Sequence, residues 1–158
     1  MKIGFTGTQI GMSAEQKRTF SKICSVIIND SKINELRHGD CIGADEDAHN
    51  IIRELSDKTL IHIHPPKIKD KRAFCENFFK IHEEKDYLIR NRDIVNSSDI
   101  LIATPKEDIE QLRSGTWATI RYAKKQNISV VIIFPDGTLK TFKKVVDNTN
   151  TSATLLSI

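Results

Sequence analysis

The chain has 158 residues, 24 basic against 21 acidic for a net charge of +3, and 39% hydrophobic residues. That is one soluble domain with a sizeable core, and the small charge is too weak to argue for a nucleic-acid partner. No apolar run approaches the roughly 20 residues of a membrane helix. Cys24, Cys41 and Cys75 are odd in number, lack a C-x-x-C pair and follow no signal peptide, so they are expected as reduced thiols in the cytoplasm.

In chain order, Lys2 to Thr6 reads as a short strand and Gly7-Thr8-Gln9-Ile10-Gly11 as a turn. Ser13 with Gln16 is a capping-box pattern. Behind it Phe20, Ile23, Cys24, Ile27 and Ile28 recur with helical spacing. Ile33 to Arg37 gives a second strand. The turn His38 to Gly43 leads into a second helix with Ala44, Ala48, Ile51, Ile52 and Leu55 on its core stripe. Leu60 to His64 is a third strand, stopped by Pro65-Pro66.

Phe74, Phe78 and Ile81 predict a helix, and Leu88 and Val95 predict another. Ile100 to Ala103 is a continuous apolar run, as a strand covered on both faces requires. After a polar loop, Ser114-Gly115-Thr116 opens a helix through Ala118, Ile120 and Ala123. Ile128 to Phe134 is a further buried strand, Pro135-Asp136-Gly137 a turn, and Thr138 to Phe142 a short edge strand. The run DNTNTSAT after Val146 has no periodicity. Residues 1–144 are therefore expected to form the domain and 145–158 a C-terminal tail.

Alternating strands and helices predict a single Rossmann-like α/β domain. It would be an open, mainly parallel sheet of about five strands with helices on both faces. Ligands of such sheets bind beyond the carboxyl ends of the strands. The turns bearing Gly7 and Gly11, Gly39 and Gly43, and Gly115 all lie on that rim. Small residues at a strand-to-helix turn leave N–H groups free at a positive helix end, which suits a phosphate. The spacing is not the dinucleotide fingerprint.

Four blocks carry a family resemblance: GFTGT, HGDCIGADEDAH, RNRDIVNSSDILIATP and SGTWATIRYAKK. Over about residues 2 to 137 the chain resembles the SLOG superfamily, the Rossmann-like domains related to Lonely Guy phosphoribohydrolases. The second block is similar to that of the DNA-processing protein A branch, and the combined pattern to small stand-alone bacterial and phage members. The resemblance implies a nucleotide or nucleotide-derived ligand and a homodimer or larger assembly. It places the family's substrate-holding arginine at Arg90, nine residues before Asp99. Of the family's P-G-G-x-G-T-x-x-E signature only Gly115 and Thr116 are matched. Thr119 stands where the catalytic glutamate belongs, so binding is implied more strongly than hydrolysis.

The candidate ligand-binding residues are Gly7, Thr8, Gln9, Gly43, Asp45, Arg90, Arg113, Ser114, Gly115, Thr116 and Trp117. Thr116 is read as a phosphate contact or a simple cap, and Trp117 as a base-stacking ring or a core residue. Asp45 is read as favourable at a helix start or as a ribose contact oriented by His49. A catalytic role is left open among Arg90, Glu107, Asp108 and Glu110; without a carboxylate at position 119, the acidic loop is the alternative source. His64 and the prolines are expected to border the cleft. His38, Cys41, His62 and His64 lack a recognised zinc-ligand spacing, so no metal and no cofactor are expected. The alternatives to nucleotide binding are N-glycoside hydrolysis of a nucleoside monophosphate and association with DNA, the last opposed by the weak charge.

Overall fold

The computed structural model describes residues 1–30 and 35–145. In chain order it contains β1 (Lys2–Gly7), α1 (Ala14–Asn29), β2 (Glu35–His38), α2 (Ala44–Leu55), β3 (Leu60–Ile63), β4 (Lys80–Ile81), α3 (Tyr87–Asn96), β5 (Ile100–Thr104), α4 (Gly115–Lys125), β6 (Ser129–Ile133) and β7 (Leu139–Phe142). A short 3₁₀ turn, Lys69–Lys71, lies between β3 and β4. No helix among the described residues is long and apolar enough to cross a membrane. Ile33, Asn34 and residues 146–158, most of the expected tail, fall outside the described residues.

The strands form one sheet in the order β4-β3-β2-β1-β5-β6-β7. All neighbours are parallel except β6 and β7, where Val130 pairs with Phe142 and Ile133 with Leu139. The sheet has seven strands rather than about five. The chain winds outward from β1 to β4, then returns to the other side of β1 to lay down β5. That reversal opens a crevice at the carboxyl ends of β1 and β5, the usual ligand position in an open α/β sheet.

Period-two alternation in the sheet divides the core. Ile3, Phe5, Leu36, Ile61 and Ile63 face α1 and α2, where Phe20, Ile23, Ile27 and Ile52 complete one layer. Leu101, Ala103, Val130 and Ile132 face the opposite layer, with Val95, Trp117 and Ile120. The capping box at α1 is present: the Ser13 hydroxyl accepts the Gln16 N–H and the Gln16 side chain accepts the Ser13 N–H. The buried Gln16 amide also donates to the Pro105 and Ile133 carbonyls, tying α1 to the ends of β5 and β6.

The helix expected from Phe74, Phe78 and Ile81 does not form. Phe74 and Asn77 take left-handed backbone angles of φ 54 and 59, which interrupt a right-handed helix. The N–H groups of Ala73 and Cys75 bond Asp40 instead of a preceding turn. Arg72 fixes this arrangement with a 2.9 Å ion pair to the buried Asp40 carboxylate. The segment is an extended strap that ends in β4, and its apolar side chains are largely exposed.

Candidate functional site

A cleft of about 1310 Å³ lies at the crevice between β1 and β5. Its walls come from the turn after β1, the turn after β2, the start of α3 and the loop between β5 and α4. The cleft therefore gathers residues far apart in sequence. It includes Gly7, Thr8, Gln9, Asp45, Arg90, Arg113, Ser114, Gly115 and Thr116 from the expected set.

The turn after β1 is fixed by its backbone. The Thr8 N–H donates to the Thr104 carbonyl at 3.1 Å, and the Thr8 carbonyl accepts the Ala44 N–H at 2.9 Å. Gly7 has no room for a Cβ, which would fall on Thr104 and Ala44. β1, β5 and the start of α2 thus close against one another beneath the cleft.

At the start of α4 the Ser114 hydroxyl accepts the Trp117 N–H at 3.2 Å, an N-cap in which one side chain satisfies one of the four orphan donors. The Gly115 and Thr116 N–H groups have no protein partner among the described residues. Open space surrounds the position of a Cβ on Gly115. Two free donors at the positive end of an 11-residue helix thus face an accessible cavity. Thr116 is a cleft residue as well as a helix-start residue, and Arg113 lies beside it.

Across the cleft Arg90 is buried to 4% exposure. Its guanidinium donates to the Gly39 carbonyl, to the His64 carbonyl at 3.1 Å and to the Cys41 sulfur at 3.6 Å. Its Nε–H is buried without a partner, and no carboxylate pairs with the group among the described residues. A charge removed from water without a counter-ion is costly. Gly39 is needed here, because a Cβ would overlap the guanidinium.

Asp45, at 7% exposure, sits at the start of α2 with one carboxylate oxygen accepting the Cys41 N–H at 3.1 Å. Burial pushes its carboxyl up to about 6, against the opposing pull of Arg90 and the Cys41 and Gly39 N–H groups. The same burial raises the Cys41 thiol to about 11, so it is a poor nucleophile at neutral pH. His49 does not orient Asp45. Its Nδ1 meets His38 Nε2 at 2.9 Å and its Nε2 meets the Glu76 carbonyl at 2.6 Å.

Other expected residues stand elsewhere. Gly43 does not line the cleft; its φ of 92 and the nearby Gln9 carbonyl make it a structural glycine that seats the first turn on α2. Trp117 is a core residue at 4% exposure, and its indole N–H donates to Glu107 at 3.0 Å. It offers no ring face to the cleft. Glu107 does line the cleft, while Glu110 pairs with Arg121 at 3.2 Å and neither Glu110 nor Asp108 lines it. The Thr119 hydroxyl donates to the Gly115 carbonyl at 2.9 Å, turned into its own helix. His64, Pro65 and Pro66 do not border the cleft. The His64 ring stacks on His82 with centroids 4.1 Å apart.

His38, His49 and Cys75 bring potential metal-ligand atoms within 4.8 Å of one another. Their hydrogen bonds oppose coordination. The Asp40 N–H donates to His38 Nδ1 at 3.0 Å, so the neutral ring carries its proton on Nε2, the atom a metal would need. That proton is directed to His49 Nδ1, whose ring then donates from Nε2 to Glu76. The chain of bonds is complete without an ion.

Lys71, Tyr87, Asn91 and Lys106 also line the cleft and were not singled out from sequence. Lys71 belongs to the basic run KIKDKR at residues 67–72. Tyr87 lies one turn before Arg90, whose guanidinium is 5.2 Å from the phenol ring. The i, i+3 spacing was the available signal.

No protein-family model matches the chain, and no curated protein matches it. Solved structures do. The molybdenum cofactor binding protein from the phototrophic bacterium Rippkaea orientalis superposes with a TM-score of 0.64 at 19% identity, over 84% of this chain and 76% of that one. The molybdenum cofactor carrier protein of Chlamydomonas reinhardtii gives 0.58 at 18% identity, over 83% and 74%. TM1055, a structural genomics target, gives 0.58 at 14% identity, over 82% and 71%. At these identities the likeness is one of fold: this chain shares a Rossmann-like α/β architecture with small-molecule binding proteins.

Proposed function

We propose that the cleft captures a phosphorylated, nucleotide-sized ligand, and that the chain is a SLOG-type binding domain. The phosphate is received at the Gly115 and Thr116 N–H groups, with Arg113 beside them. The observation that carries this reading is Arg90. A buried guanidinium without an ion pair, with one N–H unpartnered, lines the same cleft as a helix start with two free donors. Both features favour an anion, and a guanidinium meets phosphate oxygens in a bidentate manner. The Rippkaea and Chlamydomonas neighbours, a molybdenum cofactor binding protein and a molybdenum cofactor carrier protein, are consistent with a small-molecule cargo.

Binding is favoured over N-glycoside hydrolysis by the fate of the carboxylates. Thr119 has no carboxylate and is turned into its helix, Glu107 is held by Trp117, Glu110 is held by Arg121, and Asp108 lies outside the cleft. The test is incubation with nucleoside monophosphates, ADP-ribose, cyclic nucleotides and molybdenum cofactor, followed by chromatography. Ligand recovered intact after denaturation is the expected result. Multiple turnovers to free base, abolished when Glu107, Asp108 and Glu110 become amides, would replace the binder with a hydrolase.

A further inference from the structure

The anion-binding features of the cleft stand at two places. Arg90 lies over the carboxyl ends of β2 and β3, because its Nη1 donates to the Gly39 carbonyl after β2 and to the His64 carbonyl after β3. The α4 start follows β5. In the order β3-β2-β1-β5, with strands about 4.8 Å apart, two to three spacings separate the two places, about 10–14 Å. A single phosphate, whose oxygens all sit on one atom, cannot touch both. Between them runs the turn after β1, whose cleft residues Thr8, Gln9 and Ile10 are uncharged.

The Arg90 side has donors for an anion of its own. Nη1 is used on the two carbonyls, Nη2 meets the Cys41 sulfur at 3.6 Å, a weak acceptor, and the Nε–H is buried without a partner. Nε and Nη2 form the edge by which a guanidinium grips two phosphate oxygens. Tyr87, Arg90, Asn91 and Ile94 recur at i, i+3, i+4 and i+7, so one face of α3 runs along the cleft. Asp86 does not cap that helix with its side chain, and no acidic residue stands in its first turn. The Tyr87 and Leu88 N–H groups have no protein partner among the described residues. The carboxylates on this side are Asp45, held by the Cys41 N–H, and the exposed Asp70, with Lys71 next to it in the chain. Free directional donors, rather than net charge, mark this place.

We propose that the ligand carries two separated phosphoryl groups, on the 5′ and 3′ sides of a nucleoside, one received at the α4 start and the other at the Nε–Nη2 edge of Arg90 with Lys71. The inference rests on the nucleotide reading above and narrows it. A monophosphate fills one place, and the contiguous phosphates of a triphosphate crowd at one end. The cleft volume of about 1310 Å³ exceeds the roughly 300–1,000 Å³ of a usual small-ligand pocket and leaves room for a ligand that reaches both places.

The experiment is calorimetric titration of adenosine 3′,5′-bisphosphate against ATP and AMP, and of guanosine 3′,5′-bisphosphate against GTP and GMP, without magnesium. The proteins are the parent, Arg90→Met and Lys71→Ala. Bisphosphate and triphosphate carry nearly equal charge, divided in the one and contiguous in the other. The expected result is that, for at least one base, the bisphosphate binds the parent about 10- to 100-fold more tightly than either the triphosphate or the monophosphate. That preference should collapse in Arg90→Met and shrink in Lys71→Ala, where only an exposed side chain is shortened. A triphosphate that binds the parent as tightly as the bisphosphate overturns the second anion place while leaving the α4 start intact. A preference that survives Arg90→Met overturns it equally; if that variant fails to fold, an undiminished preference in Lys71→Ala does so. Absence of binding by all six nucleotides overturns the nucleotide reading and this inference with it.

Discussion

Replacing Arg90 by methionine separates a ligand-holding arginine from one that serves only as a brace. Methionine keeps much of the side-chain length and removes the charge. The Gly39 and His64 carbonyls then lose a donor, and each unsatisfied buried acceptor costs about 1–3 kcal/mol. The variant also removes a buried cation that forms no ion pair among the described residues, although it favours the ionised Asp45, and the relief of its desolvation acts in the opposite direction by about 1–4 kcal/mol on the precedent of buried ion pairs replaced by apolar groups. The two effects nearly cancel, so the urea midpoint should move by no more than about 1–2 kcal/mol in stability terms. Ligand affinity should fall much further. A charge-assisted bond to phosphate contributes about 1.5–3 kcal/mol, or about 10- to 150-fold in Kd. Urea unfolding and calorimetry on the same preparation read both quantities. Severe destabilisation with unchanged affinity would refute the reasoning and make Arg90 a purely structural tie between β2, β3 and α3.

Gly43→Ala should destabilise the fold by about 1–3 kcal/mol, because an L side chain is strained at φ 92 and its Cβ would meet the Gln9 carbonyl; an unchanged melting temperature would contradict this. Stability should also depend on pH through the imidazoles beside β3. Burial, first among the causes, lowers His62 to about 4 and His64 to about 3, below the unfolded value near 6.5. Folding stability from these neutral rings is complete above pH 6.5 and is lost as pH falls toward those values, by up to about 1.4 kcal/mol per unit for each ring. Asp45 acts with the opposite sign, since its raised carboxyl gains protons on folding as pH falls through 6. The net urea midpoint should decline from pH 7 to 4.5, and a flat profile would show that the imidazole cluster is not held neutral.

Much of the architecture was legible because its physics is local or periodic. The apolar runs at β5 and β6 announced strands covered on both faces, and Ser13 with Gln16 announced the start of α1. The rim position of Gly7, Gly39 and Gly115 followed from the alternation of strand and helix alone. The strap between β3 and α3 was not legible. Phe74, Phe78 and Ile81 carry helical spacing, and only the long-range bonds from Asp40 to residues 73 and 75 decide against it. The same limit explains Trp117. Whether a ring beside a helix start faces a cleft or a core depends on the sheet beneath it, and here Val130 and Ile132 supply a core. Asp45 lines the cleft, but the histidine expected to orient it does not bond it. The i+4 histidine turned toward His38, a contact across 11 residues that helical spacing does not reveal.

The central claim is that phosphate sits on the free N–H groups of Gly115 and Thr116. Thr116→Glu places a carboxylate at that point on the cleft wall. Calorimetric titration of the parent and the variant with the tightest-binding phosphorylated ligand of the panel is the direct measurement. The account predicts saturable binding by the parent and loss of at least about 100-fold in the variant, from charge repulsion and from the carboxylate competing for the backbone N–H groups. Equal affinity in the two proteins would contradict it.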